Sequence, residues 1–393
     1  MPMDNFNFQN PTRIVFGKGQ IKELANYIPK DKIVVMTCGG GSIKRNGVYD
    51  QVIKALEGYT IKEFWGIEPN PEYETLLKCV ALVKELGPDS CYLLSVGGGS
   101  VLDGTKFIAA ASVYTHSENL WELVETAGKY IDNSIPIVDV ITLAATGSEM
   151  DFGSCISWRR HNLKLSFMSD YNYPKVSICD PETTYSLPTN QTANGVVDAM
   201  VHVLEQYITY PQGADVNDRY AEGLLITLKE NGTILMTDPK NYQARANVMW
   251  AATQALNRII ASGVAVDWST HWIGKEVTAF LGMDHAQTLA CIQPRVFRYK
   301  FNEKKEKLAQ MAERVFNITE GTLEEKAEAG IQCLENFYEN IMKVPTHISA
   351  YSVSQDKEWI QECKKRLYER KTVLGEHHNI FPDDVEKIIL ASY

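Results

Sequence analysis

The sequence is short of histidine, has no closely spaced cysteine pair and has no long apolar run, and each shortage narrows what the protein can do. Only eight histidines occur in 393 residues, at positions 116, 161, 202, 271, 285, 347, 377 and 378. The eight cysteines, Cys38, Cys79, Cys91, Cys155, Cys179, Cys291, Cys333 and Cys363, include no CxxC pair. That argues against a thiolate zinc site and a thioredoxin-like motif. Scattered in a chain this long, they read as small buried residues of a reducing compartment, so the expected location is cytoplasmic. No segment reaches the roughly 18 consecutive apolar residues of a membrane span. The opening MPMDNFNFQNPTRIVFG lacks the basic region and apolar core of a signal peptide. Acidic residues outnumber basic ones 49 to 39, for a formal charge of -10. A nucleic acid or an anionic membrane wants concentrated Lys and Arg, so neither is an expected partner.

What is present is an ordinary globular composition, 45% hydrophobic and 22% charged, in a chain longer than one core normally supports. Two domains are expected. In the first half, β-rich runs (Thr12 to Gly17, Lys32 to Thr37, Thr60 to Trp65, Cys91 to Ser100, Ile135 to Leu143) alternate with helical patterns such as VYDQVIKAL and VLDGTKFIAAAS. Such alternation implies βαβ units and a mostly parallel sheet. Beyond about residue 188, VVDAMVHVLEQYI, DRYAEGLLITLKENGTIL, YQARANVMWAATQALNRII and the C-terminal tract keep helical spacing. The turn-rich SLPTNQTANG marks the boundary. The expected fold is α/β: an N-terminal Rossmann-like, nucleotide-type domain over 1–187, then an all-helical domain over 188–393. The cleft between two such domains is the default place for an active site.

Two glycine-rich turns follow strands. VGGGSVLDGTK leaves an apolar strand and opens a helix, so its amides can approach a pyrophosphate where the helix terminus adds partial positive charge. It is neither GxGxxG nor a P-loop, and a purely geometric turn is the competing reading. GGGSIKRNG, the earlier turn, offers Gly39, Gly40, Gly41 and Ser42, then Lys44 and Arg45. A carboxylate there would repel a 2′-phosphate; its absence favours NADP(H) over NAD(H), although a solvated surface loop explains the charges equally well. ITLAATGSEM places Thr142, Thr146 and Ser148 in a small-residue loop suited to a nicotinamide or phosphate.

Asp198 and His202 are four apart in a helical run and so project from one face. Such pairs are common, and alone this one reads first as structural. It becomes a metal site only if His271, at the start of HWIGKEVTAF, and His285, after the LGMD break, converge on it. Spacing cannot show that. Three neutral imidazoles and a carboxylate would suit a borderline divalent cation, Fe(II) or Zn(II).

Taken together, NPTRIVFGKG, GGGSIKRNGVYDQV, GIEPNPEYETL, SVGGGSVLDGTK, LAATGSEM, NGVVDAMVHVLEQY and the H-x13-H segment ending DHAQTLA resemble the iron-containing (group III) alcohol dehydrogenase family. The match is to its NADPH-dependent aldehyde reductase and butanol dehydrogenase branch. The resemblance implies one divalent metal on Asp198, His202, His271 and His285, acting in catalysis through that metal. It implies cofactor contacts from Gly98, Gly99, Ser100, Asp103, Thr142, Thr146 and Ser148, with Lys164 near the phosphates and Gly40 and Ser42 at the 2′-phosphate. The implied reaction is hydride transfer between NADP(H) and a short-to-medium primary alcohol or aldehyde, with aldehyde reduction the expected direction, in a homodimer. One departure matters: many members carry a second histidine four residues after the third ligand, where this chain has Lys275. A nucleotide- and metal-binding sensor without turnover, and glycerol-dehydrogenase- or dehydroquinate-synthase-like activity, are the competing functions.

Overall fold

A computed structural model describes residues 2–393. The chain divides into two compact units. One comprises Gln9–Pro188 with Lys240–Thr253; the other comprises the N-terminal residues through Phe8, Thr189–Pro239 and Gln254–Tyr393.

The first unit is built on β1 (Arg13–Phe16), β2 (Ile33–Cys38), the short α1 (Ser42–Arg45), α2 (Val48–Ala55), β3 (Thr60–Phe64), α3 (Tyr73–Leu86), β4 (Cys91–Gly97), α4 (Gly99–Ala111), the short α5 (Glu122–Glu125) and β5 (Ile137–Ile141). It continues through β6 (Gly153–Trp158), β7 (Leu163–Met168) and β8 (Val176–Cys179). Six strands form one sheet in the order β1-β8-β5-β4-β2-β3, and every neighbouring pair is parallel. The central strands β4 and β5 are buried throughout because helices cover such a sheet on both faces. Ile108, Phe107 and Leu102 of α4 join one core, while Val34, Met36, Val96 and Val140 join another. The parallel sheet agrees with the alternating pattern of the sequence.

Residues 153–179 carry three strands that the sequence reading leaves unassigned. β6 and β7 form a separate antiparallel hairpin, Gly153 opposite Met168 and Trp158 opposite Leu163. Its reversal uses Asn162 at φ 49°, a left-handed conformation that asparagine tolerates better than most residues.

The second unit is helical: α6 (Thr189–Tyr207), α7 (Asp215–Thr237), α9 (Ser269–Leu281), α10 (His285–Tyr299), α11 (Phe301–Phe316), α12 (Leu323–Asn336), α13 (Trp359–Glu369) and α14 (Pro382–Ala391), with one isolated bridge between Leu374 and Ile380. Helix α6 starts at Thr189, inside the stretch read as a turn. Ala193, Gly195 and Val196 are buried there, and that burial extends the helix toward its start. Gly282, at φ 69°, ends α9 in the left-handed region, and α10 begins three residues later at His285.

The remaining helix, α8 (Tyr242–Ala255), belongs mostly to the α/β unit. Met249 packs with Ile141 and Cys179, and Thr253 Oγ1 donates to the buried Glu149 carboxylate at 2.5 Å. The single cut at 187/188 therefore differs from the observed units at this helix and at the N-terminal residues. Long-range packing, invisible to a linear composition scan, is the reason. All eight cysteines are free, and six of them are buried. Among the described residues, no helix is long and apolar enough to cross a membrane.

Candidate active site

Helix α6 supplies the first two groups of a buried cluster. Asp198 and His202, one turn apart, place Oδ1 and Nδ1 3.6 Å from each other. His271, in the first turn of α9, joins them: one ligand atom from each of the three residues lies within 4.8 Å of the other two. His285, the first residue of α10, brings its Nε2 to 3.9 Å from Asp198 Oδ1. Its ring centre lies 5.4 Å from that of His271, and the His202 and His271 rings are 4.5 Å apart. The structure thus brings all four sequence-selected residues together.

The donor chemistry fits a divalent cation. Among the described residues, His202 Nδ1 is buried with no hydrogen-bond partner. Burial pushes the His202 pKa down to about 3, so the ring is a neutral donor at physiological pH. Neutral imidazole is the form that ligates metal. Trp268 precedes α9 in a left-handed conformation, φ 62°, and packs its ring edge-on to His271 at 5.3 Å.

Sequence reasoning missed Glu205. Its Oε1 accepts from the backbone N–H of His271 at 2.8 Å and lies 3.1 Å from the His271 ring Nδ1. Burial, then the neighbouring Asp267 carboxylate, pushes the Glu205 carboxyl well above the usual range. A divalent cation beyond His271 would oppose that shift by favouring the ionised form. A signal did exist in the sequence: Asp198, His202 and Glu205 stand at i, i+4 and i+7, a single helix face.

In the α/β unit, strand register gathers the expected cofactor residues. β2 and β4 are parallel neighbours with Cys38 opposite Val96, so the turns at Gly39–Ser42 and Gly97–Ser100 leave the sheet at the same edge. β5 places Ile141 opposite Gly97, which sends Thr142–Ser148 out beside them. Ligands of open α/β sheets bind at such carboxyl ends. The N-terminus of α4 has no side-chain cap, leaving its first amides available to an anion. Gly99 is required by packing: a Cβ there would lie 2.4 Å from Thr146 Oγ1. Thr142 is buried, and its backbone N–H donates to Gly97 O at 2.8 Å.

Lys164 is buried and donates to Asn70 Oδ1 at 2.8 Å; the Asn70 N–H in turn donates to Ser100 Oγ at 3.3 Å. Asn70, which the sequence reading passed over, therefore links Lys164 to the glycine turn. Asp103 accepts from Ser148 Oγ at 2.7 Å and from the Cys155 N–H at 2.9 Å, so it fixes the loop after β5 to β6. Gly40 and Ser42 are exposed, and a Cβ on Gly40 would meet nothing within 4 Å. Lys44 lies over the Trp65 ring at 4.2 Å, and Arg45 reaches the Gly41 carbonyl at 3.5 Å.

Two other lysines take defined places. Lys106 is fully buried, donating to Asp151 Oδ1 at 2.5 Å, Ser148 Oγ at 2.9 Å and the carbonyls of Ser148, Asp151 and Gly153. It is a structural tie inside the unit. Lys275 places its ammonium 3.8 Å from the centre of the Trp272 ring, a cation–π contact one turn back along α9. Trp268 stands against both His202 and His271, whereas Trp250 pairs with Phe16 and Phe152 stacks on Tyr173.

A helix-borne carboxylate-and-histidine cluster in one unit and a parallel sheet with glycine turns in the other define a class of nicotinamide- and metal-dependent oxidoreductases. Residues 11–181 match the family model described as iron-containing alcohol dehydrogenase. Residues 192–393 match the model of the Fe-containing alcohol dehydrogenase family, C-terminal. The chain belongs to the iron-containing alcohol dehydrogenase family. It is 50% identical over 391 residues to the NADPH-dependent aldehyde reductase YqhD of Escherichia coli (strain K12), covering 99% of this chain and 100% of that protein. It is 38% identical to the probable NADH-dependent butanol dehydrogenase 1 of Bacillus subtilis (strain 168), covering 99% of this chain and 100% of that one. The crystal structure of E. coli K-12 YqhD superposes with a TM-score of 0.96 over 100% of both chains at 50% identity. That of NADH-dependent butanol dehydrogenase A from Thermotoga maritima gives 0.93 at 32% identity, over 100% of this chain and 99% of that one.

Proposed function

We propose that this protein reduces short-to-medium primary aldehydes to alcohols with NADPH, using one divalent metal, Fe(II) or Zn(II), held by Asp198, His202, His271 and His285. The convergence of these four residues from three helices carries the reading. A cation held there supplies Lewis acidity toward an aldehyde carbonyl. Asp198 contributes the anionic ligand, and the buried imidazoles contribute neutral donors. The first amides of α4 and Lys164 hold the cofactor phosphates, with Gly99 and Thr146 setting the shape of the turn. Gly40 and Ser42 leave open space at the earlier turn for a 2′-phosphate, with Arg45 nearby. Lys275 rests on Trp272, and the proton that completes the alcohol is supplied by water or by a relay through a ribose hydroxyl of the cofactor.

The relative at 50% identity is named as NADPH-dependent, which agrees with the NADP(H) preference, while the Bacillus relative is named as NADH-dependent. The same full-length relatives favour alcohol and aldehyde chemistry over a sensor, a glycerol dehydrogenase or a dehydroquinate-synthase-like enzyme. The reading includes a homodimer in the cytoplasm. Edge strand β1 and the exposed Phe16–Trp250 pair offer a surface for a second copy, and eight free thiols suit a reducing compartment.

The test is oxidation of NADPH and NADH with butanal after anaerobic purification and separate reconstitution with Fe(II) or Zn(II). Metal-dependent turnover that favours NADPH is the expected result. Absence of turnover with either ion and either cofactor overturns the reading and promotes the sensor.

A further inference from the structure

The backbone N–H and the ring Nδ1 of His271 both meet one oxygen of one carboxylate, Glu205 Oε1. We propose that Glu205 is a positioning residue that fixes the tautomer and direction of His271 and thereby sets the affinity of the metal site. This inference rests on the metal-site reading above.

The argument is geometric. Glu205 lies on α6, on the face that carries Asp198 and His202, whereas His271 lies on α9. A carboxylate accepting from Nδ1 requires that nitrogen to carry the hydrogen, which leaves the lone pair on Nε2 for a metal. Carboxylate partners of this kind orient a ligating imidazole and raise its basicity. The bond to the His271 backbone adds a second constraint by tying the first turn of α9 to α6, and it satisfies a helix-terminal amide that α9 itself cannot.

Neighbouring groups hold Glu205 and this turn in place. Glu205 is 2% exposed. Its backbone carbonyl accepts from the Asp267 N–H at 2.9 Å, and Asp267 Oδ1 accepts from the Ser269 N–H at 3.1 Å. Asp267 is in turn paired at 2.9 Å with Lys304, a fully buried lysine that also bonds Glu376 at 2.7 Å. The ligand-bearing end of α9 is therefore anchored by charged groups on several segments, and Glu205 alone among them touches a candidate ligand.

The experiment measures zinc affinity by chelator competition in full-length wild type, Glu205→Gln, Glu205→Met and His271→Ala, with thermal unfolding of each metal-free protein alongside. Gln keeps an acceptor oxygen and loses the charge; Met removes both. We expect affinity to fall about tenfold in the Gln variant and about a hundredfold in the Met variant, the span usual for outer-shell partners, with the metal-free Gln variant unfolding at the wild-type temperature. The graded order of the two variants separates positioning from a purely structural role. A Gln variant that binds zinc as tightly as wild type overturns the proposal, and it decides the matter alone if the Met variant does not fold. Failure of the wild type to bind zinc, or wild-type affinity in His271→Ala, overturns the metal-site reading itself. Wild-type affinity in the Glu205 variants, with His271→Ala impaired, overturns only this inference.

Discussion

His285 Nε2 stands 3.9 Å from Asp198 Oδ1, although 87 residues separate them and they lie on different helices. The two are unequally enclosed: the His285 side chain is 26% exposed, against 5% for Asp198. His271 and His202, at 11% and 6%, resemble Asp198. A ligand at the open side is the easier one for water to replace. His271→Ala should therefore abolish stoichiometric metal retention through gel filtration, while His285→Ala weakens it enough to lose metal to a chelator. Full metal content in both variants would refute the site.

At the adenosine end, Gly40 offers room for a side chain. Gly40→Asp places a carboxylate where the proposed 2′-phosphate lies without a clash. Two anions at close range in partly screened surroundings repel by about 1–4 kcal/mol. The ratio of NADPH to NADH efficiency should fall at least about tenfold, since roughly 1.4 kcal/mol corresponds to a factor of ten. Steady-state kinetics with both cofactors check this, and an unchanged ratio removes Gly40 from the 2′-phosphate site.

Lys106 gives a prediction about stability rather than chemistry. Lys106→Met takes the cation from Asp151 and removes the ammonium donor from three backbone carbonyls. Breaking a buried pair from one side costs about 3–5 kcal/mol. Faster amide hydrogen exchange in β6 and residues 148–153 is expected, together with a lower unfolding temperature. Wild-type exchange rates there would show that the network contributes little.

The low pKa of His202 makes the metal-free protein sensitive to acid. The unfolded chain protonates this ring near 6.5, whereas the folded protein resists until about 3. Between those values the unfolded state binds the extra proton, so the contribution of His202 is full above pH 6.5 and is lost as pH falls toward 3. Urea midpoints of metal-free wild type should decline across that window more steeply than those of His202→Gln. Parallel curves for the two proteins would contradict the assignment.

Much of the α/β unit was legible because its cause is local. Runs such as KIVVMT and CYLLSV are too apolar to face water, and glycines at their ends mark the turns. The hairpin of β6 and β7 was not legible: GSCISW and LKLSFM mix polar and apolar residues, and their pairing depends on contacts made across the turn. In the site, residue type and spacing singled out Asp198 with His202, and the family resemblance added His271 and His285. Glu205 lay on the same helical stripe yet drew no attention, because a buried carboxylate acquires meaning only from its partner.

The sequence alone determined periodicity, and with it element type, the glycine turns and the helix face shared by Asp198, His202 and Glu205. Tertiary structure decided what those faces meet. Parallel pairing of β2, β4 and β5 brought three separate loops to one sheet edge, and the packing of α6, α9 and α10 carried His271 and His285 to Asp198. It also decided that Lys106 ties the loop after β5 to β6 while Lys275 lies on Trp272. A repeat of 3.6 or 2 residues reports which side of an element is buried. It carries no information about the distant segment that buries it, and the chemistry of this protein is made between distant segments.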